Sequence, residues 1–200
     1  MDYHQRMKNK YFKVRKTLLE MLEDRHYTVP KTLFVGFNEF STIYDNNNFD
    51  FTVEHSDNNN QMYITFFTEL KNFTKKDFYN VTSKLELDNE SSVIIVLRDK
   101  CNQTIMKELL LDKNKNIEIF VIDRLLINIT KHDLVPKHEL LSKDEIKDLL
   151  IKYKSTINQL PKVFKTDPIS RYYGAKTGDI FRIYRKSNSM GEKIAYRYVK

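Results

Sequence analysis

One cysteine, Cys101, four glycines and four prolines are all that 200 residues contain of these types. A lone thiol excludes an intrachain disulfide and any zinc site built on several thiolates. With so few glycines and prolines, each one marks a specific turn. The longest aliphatic run, Val93-Ile94-Ile95-Val96-Leu97, falls far short of the ~20 residues that a spanning helix needs. The opening Met1-Asp2-Tyr3-His4-Gln5-Arg6 is polar and charged, unlike a secretory signal. A soluble intracellular protein with no membrane partner is expected. A glycine-rich phosphate loop is missing too, because Gly174 and Gly178 stand in a turn before a strand rather than between a strand and a helix.

What is present is a chain able to build a core, with 40% hydrophobic and 12% aromatic residues. Its length allows one domain or two small ones. The net charge of +7 is uneven: residues 131–200 hold 16 Lys/Arg against 8 Asp/Glu, and residues 1–130 hold 18 against 19. All of the excess positive charge lies in the last third. Such a patch favours an acidic partner, either nucleic acid or an acidic protein surface.

Residues 3–25 read as an amphipathic helix, with Tyr11, Val14, Leu18 and Met21/Leu22 at three- and four-residue steps. Phe49, Phe51 and Val53 alternate with polar neighbours, and the polar turn Asp57-Asn58-Asn59-Asn60 leads into residues 62–67. That pattern predicts a hairpin. Thr74 is placed to cap a helix over 75–87, with Asp77 three residues on and Phe73 set to staple onto Phe78. Residues 93–97 read as a strand covered on both faces, followed by a helix near 103–111 and a strand at 117–122. Residues 1–130 are thus expected to form an α/β unit with a mixed sheet and covering helices. From residue 131 the pattern changes to a small α+β module. Ser142 and Glu145 form a capping box, and Asp167-Pro168 forces extended geometry before a short helix, Ile169 to Tyr173. Gly174 is suited to a left-handed cap. Strands at 179–185 and 193–199 flank a reversal at Ser187-Gly191.

Two sets of residues invite a chemical reading. A magnesium nuclease of the PD-(D/E)xK type needs a carboxylate at one strand and a carboxylate-x-Lys on the next. Asp50 and Glu69-Leu70-Lys71 have acceptable spacing, but Phe49 stands where proline is usual. A short motif match without context is weak, so both carboxylates are expected to be solvated strand ends. His132 and His138 flank Val135-Pro136, a spacing that matches no helix-face ligand pair. Neither metal nor cofactor is expected. Arg171-Tyr172-Tyr173 and Tyr196-Arg197-Tyr198 interleave cations with aromatics, which suits nucleic acid and protein interfaces equally.

The stretch from Leu125 to His138 resembles the segment entering the assembly domain of the shared fifth subunit of eukaryotic RNA polymerases I, II and III, a domain that in archaea stands alone as a small polymerase subunit. The match runs on through Gln159-Leu160-Pro161, Asp167-Pro168-Ile169-Ser170-Arg171-Tyr172-Tyr173-Gly174, Gly178-Asp179, Arg185-Lys186-Ser187 and Gly191 to Tyr196-Arg197. Earlier, Val14-Arg15-Lys16-Thr17, Asp24-Arg25-His26-Tyr27, Gln61 to Phe67 and Ile94-Ile95-Val96 resemble the family's opening and sheet.

The resemblance implies a jaw domain over 1–130, with a truncated and catalytically inert endonuclease-like fold, and an assembly domain over 131–200. It implies a non-catalytic polymerase subunit that docks on the largest subunit, contacts neighbouring subunits, and lies beside downstream duplex DNA. The docking residues it points to are His132, Pro136, His138, Asp167, Pro168, Arg171, Tyr172, Gly174, Gly178, Arg185 and Arg197. A DNA-proximal loop would fall at Asn102, Gln103, Thr104 and Lys107, where the family's usual proline is missing. The Asn/Lys/Ile-rich loops point to an AT-rich genome, of a protist or a large DNA virus. The expected location is the nucleus if the chain is cellular, and a cytoplasmic virus factory or the virion if it is viral.

Overall fold

Between Tyr3 and Leu19 there are six Lys/Arg and no carboxylate, so an apolar stripe rather than ion pairing makes this stretch helical. Helix α1 runs from Tyr3 to Asp24 and buries Met7, Tyr11, Val14, Leu18, Met21 and Leu22. Each full burial of such a side chain is worth about 1.5–3 kcal/mol. The fold is that of a computed structural model that describes residues 2–57, 60–68, 73–84, 91–99, 116–187 and 191–200. Just past the helix, His26 takes a left-handed conformation at φ 65°, which costs a non-glycine residue about 1–2 kcal/mol.

The chain divides into two units, Met1–Ile127 and Asn128–Lys200. In the first, β1 (Tyr27–Thr28), β2 (Phe51–His55), β3 (Gln61–Phe67), β4 (Ser92–Leu97) and β5 (Asn116–Val121) form one sheet in the order β1-β2-β3-β4-β5. β2 and β3 are the predicted antiparallel pair, with Val53 opposite Met62. β3, β4 and β5 are parallel, with Ile64 opposite Ile94 and Ile94 opposite Glu118. β4, whose Val93 to Leu97 are all buried, is flanked on both sides as its apolar run requires.

Alternation along β3 sorts side chains to the two faces. Phe66 joins an aromatic cluster with Tyr11 and Phe49, while Phe67 meets Phe73 at 4.9 Å between ring centroids. On that second face lies α3 (Lys75–Lys84). Its cap is reciprocal: Thr74 N donates to Asp77 Oδ2 at 3.0 Å and Asp77 N donates to Thr74 Oγ1 at 3.3 Å. Phe73 and Phe78 are both buried in the same cluster as Val93, Ile95 and Ile119. The extension of α3 to residue 87 and the helix at 103–111 lie outside the described residues.

A helix that the sequence pattern does not predict, α2 (Phe37–Asp45), starts at Gly36 without a side-chain cap bond. Tertiary contacts hold it instead. Phe40 is fully buried, and Lys8 donates to Asp45 Oδ2 at 2.7 Å and to Ser41 Oγ at 3.0 Å. The Lys8 hydrogen bond is the main reason that the Asp45 carboxyl sits below its usual range.

The second unit has a four-stranded sheet ordered β6-β8-β9-β7, from β6 (Lys137–Leu140), β7 (Lys162–Val163), β8 (Ile180–Ser187) and β9 (Gly191–Val199). β6 and β7 are absent from the sequence-based expectation, because short edge strands carry too few residues to show a period. Helix α4 (Lys143–Lys152) begins with the predicted capping box: Ser142 N donates to Glu145 Oε2 at 2.9 Å and Glu145 N to Ser142 Oγ at 3.3 Å. α4 covers one face of the sheet, around Leu141, Leu149 and Ile180. The other face packs Phe181, Ile183 and Val199 under Ile169 and Tyr173.

Candidate functional site

The second face is organised by a five-residue helix, α5 (Pro168–Tyr172), which is too short to stand on propensity. Its ends are fixed one by one. Asp167 Oδ1 accepts from Ile169 N at 2.9 Å and Pro168 occupies the first turn, where its missing N–H costs nothing. Gly174 takes φ 61°, the left-handed cap that glycine adopts without strain. Gly174 N and Ala175 N then donate to Arg171 O and Ser170 O. Gly178, at φ 109°, donates to Val199 O at 3.1 Å and so ties the turn to the end of β9.

Tyr172 points inward. Asn128 Nδ2 donates to its hydroxyl at 3.0 Å, and Asn128 Oδ1 accepts from Thr130 N at 3.0 Å and Thr130 Oγ1 at 2.6 Å. This buried network pins the chain entering the unit onto α5. Tyr172 can therefore shape the face but not present its ring on it. Beside it, the Ser170 hydroxyl is fully buried with no hydrogen-bond partner among the described residues. An unsatisfied buried hydroxyl costs about 1–3 kcal/mol. Ser170→Ala is accordingly expected to hold or raise the unfolding midpoint, by about 1 kcal/mol of stability. A clear loss in urea denaturation would show that the hydroxyl has a partner after all.

Alternation along β8 and β9 divides the cations between the faces. Arg182 points toward α4, 3.3 Å from Glu139 and 3.1 Å from Glu145. The Tyr184 hydroxyl donates to Glu139 at 2.7 Å. The hydrogen bonds from Ser142, with Arg182 adding to them, hold the Glu145 carboxyl below its usual range. Arg182 is thus paired within the unit. Arg185 and Arg197 lie on the α5 side, in register with Lys193 and Phe181 respectively. Among the described residues, no carboxylate pairs with Arg185, Lys193 or Arg197.

His138 on β6 shares this side. Its ring stands 5.7 Å from Phe181, edge to face, and its Nδ1 donates to Pro136 O at 2.7 Å. Burial pushes His138 below the ordinary histidine range; Arg197 and Arg185 add to this, while Pro136 and Asp167 oppose it. His132 is exposed, with Nδ1 accepting from Leu134 N at 3.2 Å. Lys193 is the member that the sequence reading missed; the antiparallel register of β8 and β9 pairs it with Arg185.

The nuclease reading gains no support. Asp50 is an exposed strand end, as expected, and its oxygens accept from Thr65 Oγ1 at 2.8 Å and from Phe66 N at 2.9 Å on β3. Glu69 and Lys71 lie outside the described residues, as do Asn102, Gln103, Thr104 and Lys107. Among the described residues, no group of three or more His, Cys, Asp or Glu is placed to hold a metal ion, and no helix is long and apolar enough to cross a membrane.

Comparison with known proteins gives two family matches. The model for the RNA polymerase Rpb5 N-terminal domain matches residues 5–85, and that for the Rpb5 C-terminal domain matches residues 127–199. The chain is 32% identical over 199 residues to a Dictyostelium discoideum protein named DNA-directed RNA polymerases I, II, and III subunit rpabc1, covering 94% of this chain and 96% of that one. It is 30% identical over 205 residues to Arabidopsis thaliana DNA-directed RNA polymerase V subunit 5A, covering 100% and 92%. Over 73 residues it is 47% identical to DNA-directed RNA polymerase subunit Rpo5 of Methanocaldococcus jannaschii, covering 36% of this chain and 94% of the archaeal one.

Proposed function

The chain belongs to the RNA polymerase Rpb5 family, and on that premise we propose that it is a non-catalytic subunit of a multisubunit DNA-directed RNA polymerase, held to the largest subunit by the α5 face of its C-terminal unit. The observation that carries the docking is the contrast between the two faces of one small sheet. Arg182 is paired within the unit, whereas Arg185, Lys193 and Arg197 are left without carboxylates among the described residues. Unpaired arginines on a rigid sheet suit carboxylates of a partner, because the planar guanidinium binds them bidentately. Gly174, Gly178, Asp167 and Pro168 set the backbone that frames them. Arg171, His132, Pro136 and His138 complete the face in this reading, with Tyr172 bracing it from within.

The N-terminal unit reads as the jaw, over about residues 1–130, with the assembly domain from 131. Its mixed sheet, antiparallel at β2-β3 and parallel from β3 to β5, supports an inert endonuclease-like fold whose place is beside downstream duplex DNA, with the 102–107 loop toward it. The eukaryotic polymerase relatives support a nuclear location for a cellular chain; a viral one would work in the virus factory or virion.

Tagged full-length protein carrying Arg185→Glu and Arg197→Glu tests the docking in its native source. Recovery of the largest subunit is expected to fall by about tenfold or more, the equivalent of about 1.4 kcal/mol, with an unchanged melting temperature of the isolated chain. Wild-type recovery with the double variant would overturn the assignment of this face.

A further inference from the structure

Among the described residues of the N-terminal unit three cations are buried, namely Lys8, Arg15 and Arg25. Lys8 has Asp45 at 2.7 Å and Arg25 has Glu118 at 2.7 Å. Arg15, only 6% exposed, has no carboxylate among the described residues. Its Nε and Nη1 donate to two carbonyls, Leu33 O at 3.4 Å and Phe49 O at 3.3 Å, and its guanidinium lies 4.9 Å from the Phe51 ring centroid. A guanidinium has five N–H donors, so Nη2 is left for another acceptor. Burial alone depresses the Arg15 pKa, with no anion opposing it.

Arg15 lines a cavity of about 220 Å³ between α1 and the segment 33–35, together with Phe12, Lys16, Leu19, Leu33 and Phe34. The volume is below the roughly 300–1,000 Å³ of small-molecule sites and suits a single side chain. Apart from Arg15 and Lys16 the walls are apolar, and every charged residue of α1 from Arg6 to Lys16 is Lys or Arg.

We propose that this cavity docks an acidic segment of another protein, seating one apolar side chain against Phe12, Leu19 and Phe34 and a neighbouring carboxylate against Arg15 and Lys16. The carboxylate would satisfy the one buried cation that the unit's described residues leave without an anion, and the apolar walls disfavour a bare phosphate backbone. The site belongs to the N-terminal unit alone.

Titration of the isotope-labelled full chain with the synthetic peptide Gly-Ser-Asp-Asp-Phe-Asp-Asp-Ser-Gly, followed by amide chemical shifts, is the test. Shifts are expected to concentrate at Phe12, Arg15, Leu33 and Phe34. Affinity should fall about tenfold or more in Arg15→Met, the loss of a charge-assisted contact, and likewise in Phe34→Ser. The Phe34 ring is 40% exposed, so the melting temperature of that variant should stay near that of the wild type. Peptides with Asn for Asp, or Ser for Phe, should bind equally poorly. If Arg15→Met does not fold, Phe34→Ser and the peptide controls decide. Absent binding at millimolar peptide, shifts centred elsewhere, equal binding of the Asn peptide, or a DNA duplex binding the same residues would each overturn the proposal.

Discussion

Phe181→Ala is expected to unfold the C-terminal unit and, with it, to abolish recovery of the polymerase. The ring is 1% exposed and lies 5.7 Å from His138 and 5.8 Å from Tyr173, so it is the floor on which the docking face rests. Removing a buried phenyl group costs about 3–5 kcal/mol, transfer and cavity together. A core of this size seldom supplies more than about 3–5 kcal/mol in total. The loss therefore matches what the unit has. Hydrogen exchange resolves it: amides of β6, β8 and β9 should lose protection while those of β3 and β4 keep theirs. Phe181→Leu, which refills most of the volume, should retain fold and docking. This outcome differs from that of Arg185→Glu with Arg197→Glu, which should lose the partner and keep the protection. Persisting protection of β8 in Phe181→Ala would mean that the core does not depend on this ring.

Arg25→Met should cost about 2–3 kcal/mol. Arg25 closes α1 and reaches the edge strand β5, donating from Nη1 and Nη2 to Glu118 at 2.7 and 2.9 Å. The Arg25 side chain is 5% exposed and that of Glu118 is 32% exposed. Breaking a buried pair from one side costs about 3–5 kcal/mol; the solvent open to Glu118 lowers that figure. The urea midpoint should drop with an unchanged slope. A companion variant, Arg25→Met with Glu118→Leu, should recover most of the loss, because the penalty is largely that of the stranded carboxylate. If the double variant is no better than the single one, lost packing of the arginine stem is responsible instead.

The caps that open α3 and α4 were legible in the sequence because each is complete within four residues and stands before a long apolar-periodic stretch. The equally local box of Thr156 and Gln159 opens only a three-residue turn and went unread. Thr74 with Asp77 and Ser142 with Glu145 need only local geometry to meet. α2 was not legible. Its glycine cap has no side chain to signal it, and the contacts that hold it come from Lys8 on another helix. The candidate site divides the same way. Asp167, Pro168 and Gly174 announce a short capped helix wherever they occur together. That Tyr172 turns inward to Asn128 while Arg185 turns outward follows from strand register and from a loop forty-four residues away in the chain.

By itself, the sequence determined the periodic elements, the turn positions and the segregation of positive charge to the last third. These depend on neighbours three or four residues apart. Only the tertiary structure decided which charges are spent. Asp50 has the spacing of a catalytic carboxylate, and only the fold shows it anchored to Thr65 and Phe66 of β3. Arg25 and Glu118 find each other across 93 residues of chain, whereas Arg15 and Arg185 find no carboxylate among the described residues. The reason is physical: the worth of a charge depends on its desolvation and on what lies within a few ångströms, and folding alone sets both.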